Sequence, residues 1–401
     1  MTPSIRFFAA CALVCLLGAC AAPGARTPLT LDTHVDIPLA YMHEARFDVG
    51  TDTALKVDLG KMRRGGLDAA FFVIFVEQGP LTADGYANAV AEAESKYSGI
   101  EAMLARYPER IRLATTPDEV LRNRERGLLS AMIGIENAYS LGHDLARVDA
   151  AYRRGVRYLG LVHVGDNDLC TSSLPNLELG ERPDSGVGLS AFGREVVRRA
   201  NALGMMVDVS HASDDCVRDT LAASTAPIIA SHSSARALLD HPRNLPDDLL
   251  RAIAAKGGVI QAVAYKEFLK SDPARKQAEK DLEKTVARAA GDEEFDGEKH
   301  EARPEWIEGM RRIDAQYPLA TLDTFLDHVA HIAEVAGIDH VGIASDFDGG
   351  GEVTGWRDAS QTRNVTEGLR RCGFGEAEIA KIWSGNLLRT WRAVEAAAAA
   401  P

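Results

Sequence analysis

Cysteine, long apolar runs and positive charge are all scarce in this 401-residue sequence, and each shortage excludes something. Of six cysteines, Cys11, Cys15 and Cys20 fall in the first twenty residues. The remaining three, Cys170, Cys216 and Cys372, form neither a CxxC metal motif nor a disulfide framework. They read as small buried hydrophobes, with a single bridge left open for an oxidising compartment. The apolar run from Phe7 to Leu17 is too short to cross a bilayer comfortably. Lys and Arg number 45 against 58 Asp and Glu, a formal net charge of -13, which argues against a nucleic-acid partner.

The composition, 46% hydrophobic and 26% charged, is that of an ordinary globular chain. Residues 1–19 have the layout of a secretory signal: one basic residue, Arg6, the apolar run, then Leu17-Gly18-Ala19 directly before Cys20. Small residues preceding a cysteine resemble a bacterial lipoprotein signal, with Cys20 as the lipidated first residue. A plain secretory signal cleaved near Ala22 is the alternative. Residues 20–30 then read as a tether and 31–394 as one folded unit. The expected location is the bacterial cell envelope, lipid-anchored to a membrane and facing the periplasm.

Within that unit, eight short apolar runs are mostly separated by segments of helical spacing, for example Leu81 to Tyr107 and Ala191 to Leu203. The runs are Leu29–Asp36, Leu67–Phe75, Leu128–Glu136, Val156–His163, Met205–Val209, Pro227–Ala230, Gly257–Ala264 and His340–Asp346. Repeating strand and helix over this length suits a single (β/α)8 TIM-like barrel, typically ~250 residues before insertions. Lys266 to Gln316 is strongly charged and lacks strand signal. It reads as a helical excursion between the seventh and eighth strands, either a cap on the site or a solvated arm.

Several of the apolar runs stop at an ionisable residue. The first delivers His34 and Asp36, the third Glu136, the fourth His163, the fifth His211, the sixth His232 and the eighth Asp346. In a parallel barrel all strand C-termini open on one mouth, so these groups converge there. Imidazoles mixed with carboxylates suit zinc better than magnesium, which prefers an all-oxygen shell. Five ligands, His34, Asp36, Glu136, His211 and His232, are too many for one catalytic zinc with an open position. Two zinc ions are therefore expected, bridged by Glu136 and a hydroxide or water, with His34 and Asp36 on one and His211 and His232 on the other. His43, His241, His328 and His331 read as surface or structural, and Asp348 as a turn residue.

The motifs DTHVD, MIGIEN, RYLGLVH, GMMVDVSH, SHSSARALLDHPRN and VGIASDFDGG, with SGNLLR near the end, resemble the membrane (renal-type) dipeptidase family, peptidase M19 of the amidohydrolase superfamily. The resemblance covers nearly the whole mature chain. It implies a two-zinc enzyme that cleaves dipeptides, often tolerating a D-residue at the C-terminal position. It matches the five residues above to the metal ligands, with Glu136 bridging. It matches His163 to the histidine facing the tetrahedral intermediate, Asp346 to the catalytic acid/base and Arg243 to the arginine that holds the substrate carboxylate. Tyr265, at the end of the seventh strand, joins Arg243 and His163 as a substrate-facing residue. The partners implied are a dipeptide and, through Cys20, a membrane; a homodimer is left open. The segment after His163 and the 266–316 excursion depart from the family pattern.

The chemistry agrees on independent grounds. A metal-held hydroxide is a nucleophile at neutral pH, His163 can donate to the oxyanion, and Asp346 can carry the proton to the leaving amine. The competing readings are another two-metal amidohydrolase, such as a lactonase or amidase, and a catalytically inactive binding lipoprotein. The former sites often use a carboxylated lysine bridge, whereas here a Glu ends the third strand. The latter would be expected to lose Glu136 or Asp346, and both are present.

Overall fold

The computed structural model describes residues 27–177, 180–182 and 186–398. The leader, Cys20 and the first part of the tether lie outside the described residues.

Nine strands are present among the described residues: β1 Leu31–Asp36, β2 Ala69–Phe75, β3 Ile111–Leu113, β4 Leu129–Glu136, β5 Val156–Gly160, β6 Met206–Asp208, β7 Ile228–Ala230, β8 Val259–Val263 and β9 Val341–Ala344. Eight of them form a parallel barrel in the order β1-β2-β4-β5-β6-β7-β8-β9. Asp36 N donates to Phe347 O at 2.9 Å and Asp346 N to His34 O at 3.1 Å, which joins the last strand to the first. The (β/α)8 architecture expected from the sequence is therefore present. β3, which that reading lacked, is a three-residue edge paired to β4 outside the barrel path. With Arg112 exposed at its centre, it has no apolar run to announce it.

Barrel strands are buried on both faces, which is why they read as unbroken apolar runs. Along β2, Ala69, Phe71 and Val73 point into the barrel with Met132, Tyr158, Met206 and Ile229. Ala70, Phe72 and Ile74 instead pack against the helices outside. Tyr158 fills the barrel centre against Phe71, with ring centroids 4.9 Å apart. Its ring leaves no room for a side chain on β4: a Cβ at Gly134 would lie 2.1 Å from it. The C-terminal helix Asn386–Ala397 contributes Leu387, Leu388, Trp391 and Val394 to the same inner layer.

The histidines fall slightly beyond the strands rather than within them. β5 ends at Gly160, β6 at Asp208 and β7 at Ala230, so His163, His211 and His232 begin the loops at the barrel mouth. His340 closes a short helical turn, Ile338–His340, before β9. The 266–316 excursion is helical, as expected, with its longest helices at Pro273–Ala290 and Pro304–Gln316. It does not stand free in solvent, because the Glu298 carboxylate accepts from Leu39 N in the loop after β1 at 2.5 Å.

The cysteines depart from the sequence reading. Cys170, in the loop after β5, is disulfide-bonded to Cys216 on the helix Asp214–Ala223, with Cα atoms 5.9 Å apart. The partners are 46 residues apart in sequence and become neighbours only when β5 and β6 align, so spacing alone could not pair them. Cys372 is free and exposed, not buried.

Candidate metal centre

At the mouth, Glu136 ends β4 with both carboxylate oxygens facing imidazoles. Oε2 lies 3.3 Å from His34 Nε2, and Oε1 lies 2.9 Å from His211 Nε2, 3.3 Å from His232 Nε2 and 4.0 Å from His163 Nε2. His34 Nε2 is also 3.4 Å from Asp36 Oδ2 and 4.0 Å from Asp346 Oδ1. The side chains form three overlapping groups whose ligand atoms lie within 4.8 Å of one another: His34, Glu136 and His232; Glu136, His163 and His211; His34, Asp36 and Asp346. His211 and His232, expected to act together, both face Glu136 Oε1, and His163 joins His211 in the second group. Glu136 is shared by two of them, as a binuclear metal site requires.

A cation fits this arrangement better than the side chains fit each other. The Nε2 atoms of His211 and His232 face one another at 2.9 Å, an approach that brings two lone pairs or two N–H groups together unless they share a proton or a metal. His34 Nε2 is buried and makes no hydrogen bond. Buried polar atoms are seldom left so, and an unsatisfied one points to a missing ligand.

The opposite ring nitrogens of His34 and His232 are held from behind, whereas those of His211 and His163 are buried without a hydrogen bond. Tyr158 Oη meets His34 Nδ1 at 3.1 Å, and Ser231 Oγ meets His232 Nδ1 at 2.8 Å. Ser231 Oγ in turn donates to Asp208 Oδ2 at 2.6 Å, so a buried carboxylate on β6 aims a histidine after β7 through one hydroxyl. Asp32 Oδ1 accepts from the backbone of His34 at 3.2 Å and of Ser345 at 3.0 Å, tying β1 to the segment that carries Asp346. Fixing ring orientation through the second nitrogen is how metal-ligating histidines are commonly held. The sequence reading missed Tyr158, Asp208, Ser231 and Asp32; a polar residue inside an otherwise apolar strand was the available signal.

Burial and neighbouring charge divide the titrations. Burial disfavours protonated His34, yet Glu136 and Asp36 outweigh it and hold its pKa well above the usual value. Burial pushes Glu136 up, but His34 and hydrogen bonds from His211 and His232 bring it well below the carboxylate range. His211 and His232 are driven well below the histidine range by burial, reinforced by the Arg243 charge beside His211 and the His34 charge beside His232. Burial lowers His163 and raises Asp346 well above its ordinary value.

Backbone geometry is also unusual here. Asn137, His211, Asp346 and Asp348 adopt left-handed φ values of 66°, 68°, 59° and 64°. For non-glycine residues this costs on the order of 1 kcal/mol each, and such strain concentrates at functional sites. Gly349 meets an absolute limit, since a Cβ there would fall 2.1 Å from Asp36 Oδ2 and 2.6 Å from Asp346 Oδ1.

On the far side of the mouth, Arg243 is 2% exposed. Its Nη2 donates to His232 O at 3.1 Å and its guanidinium lies 5.0 Å over the Phe268 ring. Burial pulls its pKa to about 10. Among the described residues no carboxylate forms an ion pair with it, and its buried Nε is unpartnered. Tyr265 stacks on the same Phe268 at 4.3 Å. The His163 ring packs between Phe75, at 4.5 Å, and His211, at 4.2 Å.

Of the four histidines read as surface or structural, His43 lies on Ser98, His328 under Ala235 N and His331 on Asp247, while His241 packs against Phe268 beside Arg243. Asp348 is more than a turn residue. It is half-buried, accepts from the backbone of Lys56 at 2.7 Å and Val57 at 3.2 Å, and desolvation raises its pKa to about 7.

Comparison with known proteins gives a consistent picture. The family model described as "Membrane dipeptidase (Peptidase family M19)" matches residues 25–401. Dipeptidase tcpJ of Claviceps purpurea is 30% identical over 368 residues, 90% of this chain and 74% of the relative. The crystal structure of the probable dipeptidase PvdM from Pseudomonas aeruginosa is 34% identical with a TM-score of 0.79, covering 92% of this chain and 96% of that one. A metallopeptidase of Rhodobacter sphaeroides, solved with a phosphinate mimic of the dipeptide L-Ala-D-Ala, shares the fold. Its TM-score is 0.72 at 23% identity, covering 92% of this chain and 99% of that one.

Proposed function

The chain belongs to the membrane dipeptidase family, peptidase family M19, and from that premise we propose that it is a two-zinc dipeptidase attached to a bacterial membrane by a lipid at Cys20. The observation that carries the metal reading is Glu136, whose two oxygens each face histidines from different strands. His34, Asp36, Glu136, His211 and His232 would hold the ions. Bound there, zinc would supply Lewis acidity, bring the pKa of the attacking water toward ~7 and keep Asp346 ionised.

The chain's own residues do the rest. Arg243 receives the free carboxylate of the substrate on its planar fork, with Tyr265 beside it. Holding that end fixes the peptide carbonyl over the Glu136 cluster, so that proximity contributes to rate. His163 donates from Nε2 to the oxygen that gains charge as the carbonyl is attacked. The Asp346 carboxylate takes the proton of the attacking water and delivers it to the leaving amine. Tolerance of a D-residue at the C-terminal position is supported by the L-Ala-D-Ala mimic bound by the Rhodobacter sphaeroides relative.

The test is hydrolysis of a dipeptide library by chain of measured metal content, with C-terminally amidated dipeptides as controls. Free dipeptides should be cleaved and amidated ones poorly. Equal cleavage of both would make this a general amidohydrolase. The anchor rests on the leader sequence alone. Cys20→Ser should abolish lipid attachment and release the protein from membranes; unchanged membrane partition would remove the lipoprotein reading.

A further inference from the structure

Among the described residues, Lys96 is the buried cation at the mouth for which the proposed chemistry has no use. It sits on the helix Ala83–Arg106 outside the barrel and is 8% exposed. Its Nζ lies 5.3 Å from the centroid of the Phe75 ring. Phe75 continues the inward-facing series Ala69, Phe71, Val73 of β2, pairs in register with Glu136, and touches His163. The lysine therefore reaches over the top of β2 toward the cluster. Among the described residues it makes no hydrogen bond or ion pair, although Asp36 and Glu136 are the charges acting on it most strongly. The lysine is buried along its length with its ammonium beside the Phe75 ring and no counter-ion in contact, so an anionic ligand entering the mouth would meet a cation that the fold leaves available.

Its position relative to Arg243 gives that ligand a shape. Arg243 is anchored on His232 just beyond β7, and β7 is four steps from β2 in the eight-strand order, directly across the barrel. Two buried cations thus face each other with the histidine-carboxylate cluster between them. A dipeptide holding its C-terminal carboxylate at Arg243 and its carbonyl over the cluster extends its N-terminal residue toward Phe75 and Lys96. We propose that Lys96 and Phe75 form the pocket for that residue and select an acidic side chain, so that the preferred substrates are dipeptides beginning with Glu or Asp. Phe75 packs along the methylenes and the Lys96 ammonium pairs with the side-chain carboxylate. This rests on the dipeptidase reading above, in particular on Arg243 holding the other end.

The test pairs a charged substrate with its neutral isostere. For the zinc-loaded chain, kcat/KM is measured on Glu-Ala and Gln-Ala, and calorimetry gives the Kd of the corresponding phosphinate analogues. Wild type should favour Glu over Gln by about tenfold or more in both. Lys96→Met and Lys96→Gln should collapse that ratio to near one, and Lys96→Arg should retain part of it. Equal treatment of Glu and Gln by wild type overturns the proposal. So does a loss in the Lys96 variants that falls equally on both analogues, because that is the mark of a structural lysine. If neither dipeptide is hydrolysed while the Glu analogue still binds more tightly than the Gln analogue, the acidic pocket stands and the dipeptidase reading fails.

Discussion

Arg275 and Arg243 are both buried arginines, 4% and 2% exposed, and their surroundings could hardly differ more. In the excursion, Arg275 Nε donates to Glu279 at 2.7 Å, Nη2 to Asp314 at 2.9 Å and Nη1 to Tyr317 O at 2.5 Å. Glu279 also takes Lys266 at 2.9 Å, and Asp314 takes Arg357 at 2.7 Å. Each of these five charges is answered from within the chain. At the mouth, Arg243 has a free Nε and no acidic partner among the described residues, and His34 Nε2 has no hydrogen bond. Burial is the same in both places, so burial alone does not mark function. Charge left unanswered does, because folding would otherwise remove it.

The mouth is most vulnerable at Glu136. Glu136→Gln removes the carboxylate shared between histidine groups, so kcat/KM should fall by roughly four decades or more, as when one member of a catalytic unit is lost. Retained metal should fall further than for His34→Ala or His232→Ala. Steady-state kinetics with elemental analysis checks both, and a loss confined to one site would leave Glu136 a terminal ligand.

Arg243→Met comes next, with a cut of two to four decades, about 3–5 kcal/mol, at unchanged metal content. Arg243→Lys should recover only part, since a point charge does not reproduce the fork. The contrasting change, Arg275→Met, leaves Glu279 to Lys266 and Asp314 to Arg357 alone and should cost about 1.5–3 kcal/mol of stability in a denaturant titration. Its kcat per folded molecule should stay within about twofold. A large kcat loss there would mean that the excursion takes part in the chemistry. The smallest effect belongs to Tyr158→Phe, which frees His34 Nδ1 and should weaken metal retention about 10–100-fold in a chelator competition.

What was legible in the sequence follows from where each cause is local. An apolar run ending in His or Glu announces both a buried strand and a rim group, so the barrel and His34, Asp36, Glu136, His211, His232 and Asp346 could be read in order along the chain. Lys96 could not, because between Ser95 and Tyr97 on a helix rich in Glu it looks like any solvated residue. Only the packing of that helix on β2 brings it over Phe75. The Cys170–Cys216 bridge and the Asp208–Ser231–His232 relay failed to register for the same reason, since each joins segments of the chain belonging to adjacent strand units.

The buried histidines and carboxylates gather around a shared Glu136, as a site for two ions would. Metal content per chain, measured on gently purified protein that hydrolyses dipeptides, tests that site most directly. Two zinc ions per folded chain are expected, with activity rising in proportion as stripped protein is refilled. A reproducible stoichiometry of one or zero in an equally active preparation would contradict it.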